Sequence, residues 1–311
     1  MNREVFREGK GRVVIRVGRH HLSFSGIDMT QPENPITYEP YVMKSGVSIS
    51  ANLREALKVG VPPQGGGIER QTQEGGIERQ TQEGDNTGRQ VQGGGIERQT
   101  QEGDNTGRRA LVLVDAPVLL TPMELFEESK AEENYRHAFP STIPETVLYN
   151  MQPDLNAVAV FAISKDLNTV LHDTFADVSF MTIQSPVWRH LHQRSFTGVR
   201  NKLYGYFHDN KLDIFAFQHN RFKFYNQFDT ARAHDALYFL LYVWQQLAFN
   251  AEQDELYIVG SIPDKDWLTE ELKKYVEKSY VINPGADFNR APATQIKNMP
   301  YDLMVLFSKG S

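Results

Sequence analysis

Apolar and polar positions alternate with period two from Arg12 to Val17 and again from Leu22 to Gly26, around the tetrad Gly18-Arg19-His20-His21. That pattern predicts a β-hairpin. Residues 35–43 (PITYEPYVM) extend it by a third strand. Ile49, Leu53, Ala56 and Leu57 then recur at helical spacing behind Ser48, a residue suited to cap a helix. Residues 110–120 (ALVLVDAPVLL) read as an apolar strand. Thr121-Pro122-Met123-Glu124 has the form of a capping box with proline at the first helical position, which predicts a helix running from there to Phe139. Ala157–Ile163 is a continuous apolar run, typical of a strand covered on both faces. Residues 165–175 return to a helical period.

The second half restarts the series. KLYGYFH (202–208), KLDIFAFQ (211–218) and RFKFYNQF (221–228) predict three strands joined at Asp209-Asn210 and His219-Asn220, both turn-prone pairs. Asp229 and Thr230 are placed to cap a helix over 231–249, apolar on nearly every side and so expected at the centre of its lobe. A buried strand (254–260), an amphipathic helix (266–276), a short strand (279–283) and an apolar stretch read as a strand (301–307) complete the chain. The order strand-strand-strand-helix-strand-helix-strand thus occurs twice. Three antiparallel strands leading into parallel ones is the order of the ribonuclease H-like unit. Two such units facing across a cleft make an actin-like ATPase architecture of mixed α/β class. The expected lobes are 1–195 and 196–311.

Between the first helix and the next strand the periodicity vanishes. GIERQTQEGDNTGR begins at Gly76 and again at Gly95, and a shorter copy, GIERQTQEG, starts at Gly67. Each copy offers one isoleucine and no aromatic residue, too little apolar surface to stack a core. Residues 62–109 are therefore expected to form a disordered surface insertion of Gly, Gln, Glu and Arg repeats within the first lobe.

Composition narrows the function. The 311-residue chain carries a formal net charge of −6, which argues against a broad nucleic-acid surface. It has no cysteine, so disulfides, zinc–thiolate sites and cysteine nucleophiles are excluded. The charged N-terminus MNREVFREGKGR lacks the apolar core of a signal peptide, and no apolar run reaches membrane-spanning length. These features lead to the expectation of a cytoplasmic protein with no membrane contact.

Three stretches carry a family resemblance: LTPMELFEES (Leu120–Ser129), NAVAVFAISKDL (Asn156–Leu167) and DALYFLLYVWQQLAFNAEQDELYIVGSI (Asp235–Ile262). They resemble the Bacteroidetes domain-of-unknown-function family 3822, over most of the chain outside the repeats. The resemblance implies an actin-like ATPase fold and leaves the biochemical role open.

Actin-like ATPases place an Asp and glycines in or beside the first hairpin of each half, and glycines after a strand that lies against adenosine. Here the first hairpin offers Gly18, Arg19 and His20 and no carboxylate, so magnesium lacks its oxygen ligand there. The second offers Asp209, Asn210 and Lys211 with no glycine following, and Gly260-Ser261 stands where two glycines would. These eight residues are the candidate nucleotide- or anion-binding set. There is no GxxxxGK[ST] and no GxGxxG. His190 and His192 lie two apart on a predicted helix, diverging rather than sharing a metal, and His234-Asp235 lacks partner ligands at matching spacing. The aromatic strands could stack RNA bases, but a helix-covered core explains them equally. The expectation is a non-catalytic interaction or assembly module with degenerate nucleotide motifs, another protein as partner, and no cofactor. The alternatives are a divergent ATPase or kinase that uses ATP with magnesium, or RNA or small-molecule binding in the interlobe cleft.

Overall fold

The computed structural model describes residues 13–27, 35–59, 109–196 and 200–308; residues 62–108 of the repeat stretch lie outside them. Three strands open the chain: β1 (Val13–Val17), β2 (Leu22–Ile27) and β3 (Ile36–Tyr41). Helix α1 (Ile49–Val59) follows, and the chain re-enters as β4 (Arg109–Val114), so Arg109 is a strand residue. β1 pairs antiparallel with β2 and parallel with β4, with Val14 opposite Leu111 and Val17 opposite Val114.

The predicted strand 110–120 is broken in two. Asp115–Val118 separates β4 from β5 (Leu119–Pro122), which enters a different sheet. The capping box is not made: Thr121 lies in β5 opposite Val158, a single 3-10 turn follows at Met123–Leu125, and α2 begins only at Glu128 and ends at Ala138. β6 (Glu145–Gln152), which the sequence pattern missed, and β7 (Ala157–Ser164) complete an antiparallel sheet of order β5-β7-β6. Ala157–Ile163 is therefore the middle strand of an inserted sheet. Its Ala159, Phe161 and Ile163 face the main core, and its Val158, Val160 and Ala162 face α2. Helix α3 (Lys165–Thr174), capped by Ser164 Oγ accepting from the Leu167 amide, leads into β8 (Asp177–Thr182), the parallel partner of β4.

After α4 (Gln184–Ser195) come β9 (Lys202–His208), β10 (Lys211–Gln218) and β11 (Arg221–Asp229), then α5 (Ala233–Gln246), β12 (Glu255–Gly260), α6 (Lys265–Lys273) and β13 (Ser279–Val281). Both hairpin turns of this half have positive φ at their two central residues, Asp209 and Asn210, then His219 and Asn220. That is the turn geometry matching strand twist, and Asn and Asp tolerate it. Asp229 and Thr230 do not cap α5, which starts after Arg232. The two five-stranded sheets have equivalent orders, β3-β2-β1-β4-β8 and β11-β10-β9-β12-β13. Each is a ribonuclease H-like sheet, and the fold is the two-lobed, mixed α/β actin-like architecture.

The chain closes with α7 (Pro284–Asp287), α8 (Pro292–Gln295) and α9 (Tyr301–Ser308). α9 replaces the strand predicted at 301–307. It is apolar all round because it is sandwiched: Leu303, Leu306 and Phe307 pack with Val14, Leu111 and Leu113 of the first sheet, while Tyr301 and Val305 join the core that holds Tyr206 of the second. α4 fills the same layer, with Trp188 edge-on to Tyr225 at 4.7 Å between ring centroids. The opposite face of the second sheet packs on α5 and α6 through Leu212, Ile214, Leu240 and Leu268. α5 is one-sided rather than central, since Tyr238 and Tyr242 are exposed. Among the described residues, no helix is long and apolar enough to cross a membrane.

Candidate functional site

The even residues of β1 point toward the second lobe, which puts Arg16 in the layer between the sheets. It is almost fully buried. Its Nε lies 2.9 Å from Asp302 Oδ2 on α9, and its Nη2 lies 2.9 Å from Asp209 Oδ2 in the β9–β10 turn. Tyr206, on β9, donates its hydroxyl to Asp302 Oδ2 at 2.8 Å. Burial alone would lower the Arg16 guanidinium, but the facing carboxylates Asp302 and Asp209 carry it well above its ordinary value.

A second ionic link crosses the lobes beside the first. Lys211 Nζ, at the start of β10, reaches both carboxylate oxygens of Asp115 at 3.0 Å, and the Asp115 amide donates to Val17 O at the end of β1. Asp115 thus sits at the carboxyl ends of parallel strands, where open α/β sheets place their ligands.

Behind these pairs stands His208, the last residue of β9. Its Nε2 lies 2.7 Å from Asp213 Oδ2, and Asp213 Oδ1 accepts from Tyr225 Oη (3.1 Å) and Gln227 Nε2 (3.0 Å). Burial would lower the imidazole, but Asp213 and Asp209 raise it to about 9. Burial would raise Asp209, but His208 and Arg16 hold it below the carboxylate range.

The sequence-predicted residues separate into those brought together and those left outside. Gly18 packs against Asp209: a Cβ there would stand 3.1 Å from Asp209 Oδ2. Its amide is bonded to His21 O at 2.7 Å, so the turn closes on itself. Arg19, His20 and Asn210 are exposed turn tips. Lys211 is committed to Asp115. Gly260 and Ser261 line a cleft of about 240 Å³ together with Arg16, His208, Asp209 and Tyr301. Gly260 has φ +98°, and a Cβ would come within 2.1 Å of Phe207 O, so its glycine is required by the neighbouring backbone alone. The carboxylate missing from the first hairpin is supplied to the junction by Asp115. The sequence reading also missed Arg16, His208, Asp213 and Asp302. Outside the site, His190 pairs with Asp287 at 2.6 Å and His192 with Asn220 O at 2.8 Å.

The fold has relatives among solved structures. A Bacteroides thetaiotaomicron protein described as having an actin-like ATPase fold and unknown function is 25% identical, with a TM-score of 0.67 over 92% of this chain and 96% of that one. A structure titled PilM-PilN type IV pilus biogenesis complex is 11% identical, with a TM-score of 0.53 over 96% of this chain and 97% of that one, a likeness of fold alone. No curated protein sequence matches. The family described as "Protein of unknown function (DUF3822)" matches residues 109–278, more than half of the chain. With strands β4 to β12 and the whole inserted sheet inside that span, the chain belongs to the DUF3822 family.

Proposed function

We propose that this chain is a non-catalytic interaction or assembly module on an actin-like scaffold, with a protein as its partner. The observation carrying this reading is the pair of ionic links, Arg16–Asp209 and Lys211–Asp115, that tie the two hairpin regions where the fold offers a phosphate site. Arginine and lysine neutralise the carboxylates that a nucleotide site would direct at magnesium. The Gly18 amide, a natural phosphate donor, is already bonded within its turn. The cleft of about 240 Å³ also falls below the roughly 300–1,000 Å³ of ordinary ligand pockets. We divide the lobes at residues 195 and 196, within the α4–β9 connection.

Thermal melting with and without magnesium and ATP or ADP tests the reading. A ligand at 100 times its Kd would stabilise the fold by about 2.7 kcal/mol, several degrees in melting temperature for a chain of this size. No shift and no phosphate release are expected. A magnesium-dependent rise with turnover would establish the ATPase alternative, and Asp209→Ala should then abolish it.

A further inference from the structure

β11 is the outermost strand of the second sheet, and among the described residues no strand pairs with its free edge. The register fixes which of its backbone groups are open. Thr230 donates its amide to Asn210 O at 2.8 Å, so the alternation of an antiparallel ladder turns the backbone of Tyr225 and Gln227 away from β10. The Gln227 amide agrees: its acceptor, at 2.9 Å, is the side chain of its exposed neighbour Asn226, a local partner that an incoming carbonyl can replace. Such an edge is a template for an added strand. It opens onto a cleft of about 800 Å³ whose far wall is β5 and residues 154–156 before β7. That volume lies within the roughly 300–1,000 Å³ of binding pockets. The lining includes Leu120 and Leu155 from the far wall and Phe222 and Phe224 from β11. His192 Nε2 donates to Asn220 O at 2.8 Å, which ties the β10–β11 turn to α4 and holds the edge in place.

Charge divides across this cleft. Arg221 and Lys223 are exposed on the β11 side, and a bulge leaves Lys223 without a cross-strand partner. Among the described residues no carboxylate pairs with either. On the far wall Asp154 is neutralised by Arg189 at 3.1 Å, and Glu124 accepts only from the Asn156 side-chain amide. We infer that the cleft binds an extended, acidic segment of a partner protein. The segment adds as a strand to the free edge of β11, places its carboxylates on Arg221 and Lys223, and lays its apolar side chains against Leu120 and Leu155. This inference rests on the reading of the chain as a protein-binding module and names where the partner docks and its chemistry. Backbone pairing supplies affinity for any extended chain, alternate side chains supply selectivity, and the two cations set which charge is accepted.

Fluorescence anisotropy with the full chain tests the site, using labelled peptides of about ten residues that alternate valine with glutamate, glutamine or lysine. The glutamate peptide should bind at least about tenfold more tightly than the lysine peptide, and less tightly as salt rises. Arg221→Glu combined with Lys223→Glu changes two exposed residues and should reverse that order. Lys297→Glu, exposed and outside the cleft, should leave it unchanged. N-methylation of alternate residues of the glutamate peptide should weaken binding at least about tenfold in one parity and far less in the other, because only one set of amides of an added strand faces β11. Equal affinity for the glutamate and lysine peptides, indifference to the double variant, or tolerance of methylation in both parities would overturn the inference. So would no binding up to about 1 mM peptide, or tighter binding of oligouridylate than of the glutamate peptide. A dimer in light scattering that the double variant makes monomeric would overturn it too, since a second copy would then hold the edge. Any of these failures leaves the non-catalytic reading standing, because that reading falls only to nucleotide-dependent stabilisation with turnover.

Discussion

Arg16 shows how much one side chain decides. It is a buried cation held between Asp302 and Asp209, so removing Asp302 strips the carboxylate from its Nε and leaves the buried Tyr206 hydroxyl without its acceptor. Asp302→Ala is expected to cost about 3–5 kcal/mol, read as a fall in urea midpoint. Gly260→Ala forces a Cβ onto Phe207 O and strains a positive φ, at about 2–4 kcal/mol. Asp287 supplies the pH dependence. Burial would raise its carboxyl, but His190 and Arg194 hold it low. A depressed carboxylate contributes stability above its unfolded pKa of about 3.9 that is lost as pH falls through the folded value. Urea midpoints of wild type and Asp287→Asn should therefore differ at neutral pH, begin to approach as pH falls below about 4, and meet only below the depressed folded value. These residues were legible in one respect only. Arg16, Asp115, Asp213 and Asp302 each interrupt or end an apolar run (VVIRV, LVLVD, KLDIF, YDLMV), which marks a buried charge. Which charge meets which depends on bringing residues 16, 209 and 302 together, and local spacing says nothing of that.

At the scale of elements, periodicity marks most strands and helices with one face to water, but not the part-exposed β6 and β8. It failed where the surroundings are symmetric. α9 was read as a strand because burial between two sheets erases the helical stripe, and a short apolar run fits either element. Residues 157–163 form the expected strand, and their apolar run does not say which sheet holds it, since burial on both faces is the same whether the cover is a crossover helix or α2. At Thr121, pairing with Val158 overrode a sound capping motif. α5 erred the other way: its outer tyrosines, Tyr238 and Tyr242, stack on each other at 6.0 Å between centroids instead of entering the core. Leu240→Ala should cost about 2–5 kcal/mol, and Tyr238→Ser should stay within about 0.5 kcal/mol. Equal losses in chemical denaturation would mean that α5 is buried all round.

For the molecule as a whole, the doubling of the sheet is the most legible feature, although the first sheet is closed by β8, which the sequence pattern does not mark, and residues 157–163 lie in the inserted sheet instead. The repeat stretch, read from composition as a loop, connects α1 to β4, a crossover that needs only a few residues. Replacing residues 62–108 by about eight Gly and Ser residues should therefore leave the fold intact and raise stability by about 1–2 kcal/mol through the lower closure entropy, measurable by calorimetry. The position of α9 has a consequence for biosynthesis. Helix α9 covers Val14, Leu111 and Leu113, so the sheet whose strands emerge first from the ribosome keeps a bare apolar face until residues 301–308 have been made. Nascent chains stalled before residue 301 should be protease-sensitive and chaperone-bound, and emergence of α9 should be the event that makes them compact.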